Sequence, residues 1–228
     1  MIHGSGGSSI IWENQFNLKV NYNIIALDLP SHDKSDSFEE VSLDLYVDVV
    51  KKFIDSQSYK KVIICGHSLG GAIVQSFYFN YPNDVNALIL VGTGAKLRVD
   101  PFILDTLKNN YLEFLDSMPA LAFYRKTPEE IIQKVVNKAS QMHNMTVYND
   151  FKICDNFDTM DKTQTIKIPC LIICGNADKL TPVKYSQFFK DKIKNSELRI
   201  IKDAGHMVML EKSAEFNKTV ENYLKNQL

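Results

Sequence analysis

Gly66-His67-Ser68-Leu69-Gly70 is the stretch of this chain with the most specific chemistry. It follows an apolar run at 62–65 and opens a helical pattern, and a serine forced into such a strand-to-helix turn projects its hydroxyl as a nucleophile. Crowding at the turn leaves room only for small residues on either side, as at Gly66 and Gly70, and the helix N-terminus behind it favours negative charge. The hydroxyl needs a base. Of the five histidines, His3 belongs to an N-terminal glycine loop, His32 to a later loop, His67 to the turn itself and His143 to a surface position on a helix. His206, in Asp203-Ala-Gly-His-Met, falls between the last apolar run and the last helix, at the carboxyl edge of a sheet where ligands bind in open α/β folds. A carboxylate must then hold the imidazole in one tautomer. Asp178, in Gly175-Asn-Ala-Asp-Lys-Leu-Thr-Pro, directly follows the run at 169–174, whereas the turn after 87–91 offers no carboxylate. Thr181 is left to cap the helix starting near Pro182. The backbone N–H groups of Leu69 and of Ser5, in His3-Gly-Ser-Gly-Gly7, supply two donors for an oxyanion. These are the parts for attack on a carboxylic ester or a similar acyl bond.

Apolar runs at 23–28, 61–65, 87–91, 169–174 and 198–201 read as strands that place these residues. Helical patterns alternate with them, at 41–56 (Val41, Leu45, Val49, Phe53), at 72–79, and from about Glu211 onward (Phe216, Val220, Tyr223, Leu224). Continuous apolar strands between helices imply an α/β fold, a mostly parallel sheet flanked by helices on both faces. The alternation breaks between 96 and 167. There the pattern predicts a helix at 101–117, a second opened by a capping box at Thr127-Pro-Glu-Glu, and a third at 147–158. The expected organisation is therefore a core at 1–95 and 168–228 with a helical lid at 96–167, inserted before the acid-bearing strand.

The 228 residues suffice for one such domain. A net charge of −1 with no basic patch argues against nucleic acid as a partner. No apolar run approaches the roughly 20 residues of a membrane span. Without a basic start and apolar core at the N-terminus, a signal peptide is not expected. The four cysteines read as reduced, small core hydrophobes, which points to a cytoplasmic protein.

In combination these stretches resemble the α/β-hydrolase family, in particular its small lidded serine esterases, lactonases and carbon–carbon bond hydrolases. The matching residues are His3-Gly4, Asp28-Leu-Pro-Ser-His-Asp-Lys-Ser35, the turn at 66–71, Gly175-Asn-Ala-Asp178 and Ala204-Gly-His206. The resemblance implies a carboxylesterase-like hydrolase with Ser68 as nucleophile, Asp178 as acid, His206 as base, and Ser5 and Leu69 as oxyanion donors. It implies no metal or organic cofactor, and a small ester substrate with an apolar portion. Carbon–carbon bond hydrolysis, peracid formation as in haloperoxidase-like members, and a weakly catalytic ligand-binding module stay open as alternatives. Two departures stand out. Ser31 and Asp33 replace the glycines of the family's Gly-His-Gly-x-Ser, and the family's N-terminal hairpin and strand before His-Gly are missing here. The second leaves an exposed sheet edge, a candidate for self-association.

Overall fold

The computed structural model describes residues 1–59 and 61–227. Strands β1 (Val62–His67), β2 (Val85–Val91), β3 (Cys170–Gly175) and β4 (Ser196–Ile201) form one parallel sheet in the order β1-β2-β3-β4. Side chains alternate across it, so the apolar strands feed two cores. Leu88, Leu90 and Ile172 pack with helices α1 (Leu43–Ser56) and α2 (Leu69–Asn80) on one face, through Val47, Val50, Ile73 and Phe77. Ile89, Val91, Leu171 and Ile173 meet Trp12, Phe216 and Val220 on the other. Trp12 belongs to a 3-10 helix, Ser9–Asn17, that no periodicity announced. Helix α7 (Val183–Lys192) follows β3, and the closing helical region is split into α8 (Val208–Glu211) and α9 (Ser213–Gln227).

The strand expected at 23–28 is not one. Its only ladder-like pairing is at Leu27, which bridges Ile2, and Ile2 bridges Gly66 on its other side. A single residue of neighbouring backbone is too little to make a ladder. It is enough to fix the N-terminal segment: Ile2 N–H donates to Cys65 O at 2.8 Å, Ile2 O accepts His67 N–H at 3.0 Å, and the Met1 amino group donates to Ile25 O at 2.7 Å. The glycine loop that follows Ile2 is thus pinned to β1. Beyond this edge, Met1, Tyr22, Ile24, Val220 and Leu224 border a groove of about 340 Å³.

Between β2 and β3 lie α3 (Pro101–Asn109), α4 (Tyr111–Ala122), α5 (Glu129–Ser140) and α6 (Asn144–Asn156), with an apolar cluster of their own around Leu107, Phe114, Leu115 and Val147. The single helix expected at 101–117 is two, because Asn110 leaves helical geometry (φ −150°, ψ 74°) and its side chain accepts the Glu113 N–H to start α4. The capping box at Thr127 does not form. Thr127 Oγ1 donates instead to Glu211 Oε2 at 2.6 Å, and Pro128 occupies the N-cap of α5 without a side-chain bond. Lys138 on α5 pairs with Asp33 at 2.6 Å, tying the insertion to the loop after Leu29. Among the described residues, no helix is long and apolar enough to cross a membrane.

Candidate active site

Ser68 sits between β1 and α2 with φ 53° and ψ −117°, a strained conformation for a residue with a Cβ. The turn is held by Ser68 N–H donating to Val91 O at 3.0 Å and by Thr93 Oγ1 donating to Ser68 O at 2.8 Å. It is also tight: a Cβ on Gly66 would lie 2.1 Å from Gly70 O, so that position requires glycine. Asp178 follows β3 and His206 follows β4, and His206 Nδ1 lies 2.9 Å from Asp178 Oδ2. Four donors converge on that carboxylate. Oδ1 accepts the N–H groups of Leu180 (2.9 Å) and Thr181 (2.8 Å), while Oδ2 accepts Thr181 Oγ1 (2.7 Å) and His206 Nδ1–H. Burial alone would push this carboxyl up; the His206 ring and the Thr181 bonds outweigh it and hold the group below the usual carboxylate range. Thr181 therefore does not cap α7, whose N-cap is Pro182 without a side-chain bond; it braces Asp178.

Ser68 and His206 line one cavity of about 560 Å³, within the roughly 300–1,000 Å³ of small-molecule sites. Ser5 lines it as well, and apolar groups including Phe102, Phe114, Met118 and Leu180 surround it. Neither Ser5 N–H nor Leu69 N–H meets an internal acceptor among the described residues. His143 is exposed, as expected. The remaining histidines are buried and engaged. His67 Nε2 donates to His206 O at 3.0 Å, which fixes the His206 loop from below, and burial holds this imidazole well below its ordinary pKa. His3 Nε2 accepts Leu29 N–H at 3.0 Å, so Nδ1 carries the proton and donates to Gly4 O at 2.8 Å. Burial drops His3 to about 4. Among the described residues, no group of three His, Cys, Asp or Glu side chains is arranged to hold a metal ion.

A family model described as alpha/beta hydrolase fold matches residues 1–213. The chain belongs to the α/β-hydrolase fold family. Pimeloyl-(acyl-carrier protein) methyl ester esterase of Wigglesworthia glossinidia brevipalpis is 28% identical to this α/β-hydrolase, over 98% of this chain and 92% of that protein. The 2-hydroxy-6-oxononadienedioate/2-hydroxy-6-oxononatrienedioate hydrolase 1 of Pseudomonas putida is 27% identical, over 98% of this chain and 86% of its own. The solved structure of a thermophilic esterase aligns with a TM-score of 0.88 at 41% identity, covering 98% of this chain and 88% of that one.

A buried polar cluster that the motifs do not predict lies beside the glycine loop of this α/β-hydrolase. Asp150, on α6, is fully buried, with its carboxylate accepting from Gly6 N–H (2.9 Å), His32 Nε2 (2.9 Å) and the Tyr46 hydroxyl (2.6 Å). His32 Nδ1 faces Pro30 O at 2.9 Å, so both ring nitrogens donate. Burial works against that charged ring, and the adjoining Asp150 overcomes it, raising the His32 pKa. The Ser31 and Asp33 that flank His32 take left-handed φ values of 66° and 42°, where the family's glycines would be unstrained. A charged residue on the apolar Val147–Cys154 face of a helix was the one available signal.

Proposed function

We propose that this α/β-hydrolase cleaves a carboxylic ester through an acyl-enzyme on Ser68. The observation that carries the reading is the Asp178–His206 pair, 2.9 Å apart and braced by Thr181, whose His206 lines the same cavity as a serine on a strained turn. In the first half-reaction His206 Nε2 takes the Ser68 proton as Oγ attacks the carbonyl carbon, and the Ser5 and Leu69 amides hold the oxyanion. The C–O bond to the alcohol then breaks, and His206 returns the proton to that leaving oxygen. Water repeats the sequence on the acyl-serine, releasing the acid. Asp178 keeps the ring in the Nδ1–H tautomer and stabilises the imidazolium that forms. Helices α3–α6 serve as a lid whose apolar groups favour a substrate with an apolar acyl or alcohol portion.

Incubation with a fluorophosphonate and with p-nitrophenyl esters of graded chain length, beside Ser68→Ala, tests this. Labelling and turnover that vanish in the variant support the acyl-enzyme, and a folded wild type with neither sinks it. Carbon–carbon bond cleavage remains the second reading, supported by the Pseudomonas putida relative and by Arg98, Lys179 and Lys184 among the cavity residues, which suit an anionic substrate. Turnover of a dienone dicarboxylate in preference to every ester would select it.

A further inference from the structure

We infer that Asp150 is a positioning residue for the oxyanion loop, acting through the Gly6 amide; the inference rests on the ester-cleaving reading above for what that loop does. One face of α6 lies along the loop. Val147, Asp150 and Cys154, spaced three and four residues apart, project from the same side of the helix. Asp150 Oδ2 accepts Gly6 N–H at 2.9 Å, and Cys154 Sγ lies 3.6 Å from Ser5 Oγ. Gly6 has φ 60°, and a Cβ there would be 2.9 Å from Val147 Cγ1, so the loop is pressed against the helix as closely as glycine allows.

The two peptide groups around Ser5 are locked from opposite directions. Gly4 O accepts His3 Nδ1–H at 2.8 Å and Gly7 N–H at 3.1 Å, which fixes the Gly4–Ser5 plane. Because the peptide is trans, Ser5 N–H points the other way from that carbonyl. The next plane, Ser5–Gly6, is fixed by Asp150. The carboxylate cannot swivel, since its other donors come from separate elements: His32 from the loop after Leu29 and Tyr46 from α1. Asp150 thus consumes the Gly6 amide and leaves the Ser5 amide as the donor without an internal acceptor. A bare stabilising ion pair would need only His32. What distinguishes the positioning role is where the acceptor oxygen stands.

Three substitutions separate position from charge. Asp150→Asn keeps an oxygen at the Oδ2 site, because Gly6 N–H and His32 both donate there, and its amide nitrogen meets the Tyr46 hydroxyl, which can turn to accept. Asp150→Glu keeps the charge but carries it one methylene further, and Asp150→Ala removes the acceptor. Losing an oxyanion donor outright costs about 10²–10³ in kcat. A displaced one should lower kcat about 10- to 100-fold in the Glu and Ala variants, with KM within about threefold, while Asn retains kcat within about fivefold. Amide hydrogen exchange at Gly6, which needs no substrate, should speed up at least about tenfold in Glu and Ala but not in Asn, with the Leu29 amide unchanged throughout. The reverse order, Glu active and Asn crippled, overturns the inference in favour of charge alone, as does Gly6 exchange unaffected by any variant. If Ala fails to fold, the Glu and Asn pair still decides. A wild type without ester turnover refutes the ester reading and leaves the exchange experiment to judge the anchor separately.

Discussion

Replacing Asp178 with asparagine exchanges one oxygen for an amide nitrogen and should remove nearly all activity, for a reason spelled out by its hydrogen bonds. Oδ1 accepts two backbone N–H groups, at 2.9 and 2.8 Å, so that position must stay oxygen. The amide nitrogen is forced onto the Oδ2 site, 2.9 Å from His206 Nδ1. Thr181 Oγ1, 2.7 Å away, can rotate its hydroxyl and accept. His206 Nδ1 can accept only after losing its proton, which leaves the hydrogen on Nε2 and no lone pair for Ser68. A tautomer trap of this kind lowers kcat about 10⁴-fold, equivalent to about 5 kcal/mol at about 1.36 kcal/mol per decade. Volume and backbone bonds are conserved, so urea unfolding should stay cooperative. Steady-state hydrolysis of p-nitrophenyl butyrate measures the loss, and ¹⁵N chemical shifts of the ring nitrogens report the tautomer directly. A folded variant that keeps more than about a tenth of wild-type kcat, or a His206 ring still protonated at Nδ1, refutes the argument.

Acid should destabilise the fold through His3. Its pKa falls from 6.5 unfolded to about 4 folded, so its contribution is intact above pH 6.5 and lost as pH drops toward 4. At about 1.36 kcal/mol per pH unit that amounts to about 3 kcal/mol, and NMR titration should find the His3 ring uncharged at pH 5. His32 runs the opposite way: its raised pKa stabilises the fold below pH 6.5, and that contribution fades as pH rises through the folded value. A His32 resonance that titrates below 6.5 contradicts the ion pair with Asp150. Gly66→Ala should cost about 1–3 kcal/mol, because the colliding atom is the backbone oxygen of Gly70; a wild-type Tm in that variant rules the crowding out. All four cysteines are buried and free, with Cys65 and Cys154 pushed up to about 12, so native protein should resist a thiol reagent that modifies every cysteine after denaturation. Rapid labelling of the native protein contradicts this.

Much of the sheet and the Ser68 turn could be read from residues because their signals are local. Four apolar runs bounded by turns became β1 to β4, and the glycines flanking Ser68 mark a turn that only small residues tolerate. Asp178 and His206 could be placed at strand ends by position alone. Their brace could not, because the same Thr181 serves equally well on paper as a helix cap. Residues 23–28 carry the composition of a strand, yet a ladder depends on the length of the neighbour, and Ile2 offers one residue. Asp150 was illegible for a deeper reason. Its partners Gly6, Tyr46 and His32 are 144, 104 and 118 positions away, so apart from its place on the apolar Val147–Cys154 face nothing in the local pattern distinguishes it from a solvated helical aspartate.

The loop from Pro30 to Asp33 is fastened to the helical insertion twice, through His32 to α6 and through Asp33 to α5. That has a bearing on traffic into the cleft. Swinging α6 outward would strand two buried charges, which costs several kcal/mol for each ion left unpaired. At α3 and α4 no such tether exists among the described ion pairs; Phe102 and Leu112 already stand 54% and 73% exposed there, and Phe102, Phe114 and Met118 border the cavity. The C-terminal end of α4 is held by His206 N–H donating to Ala122 O at 2.8 Å and Lys179 Nζ donating to Ala120 O at 2.8 Å, so motion that breaks chiefly apolar contacts is left to α3 and the start of α4. The cleft is therefore expected to open at the α3 side, with α6 held in place by its buried ion pair.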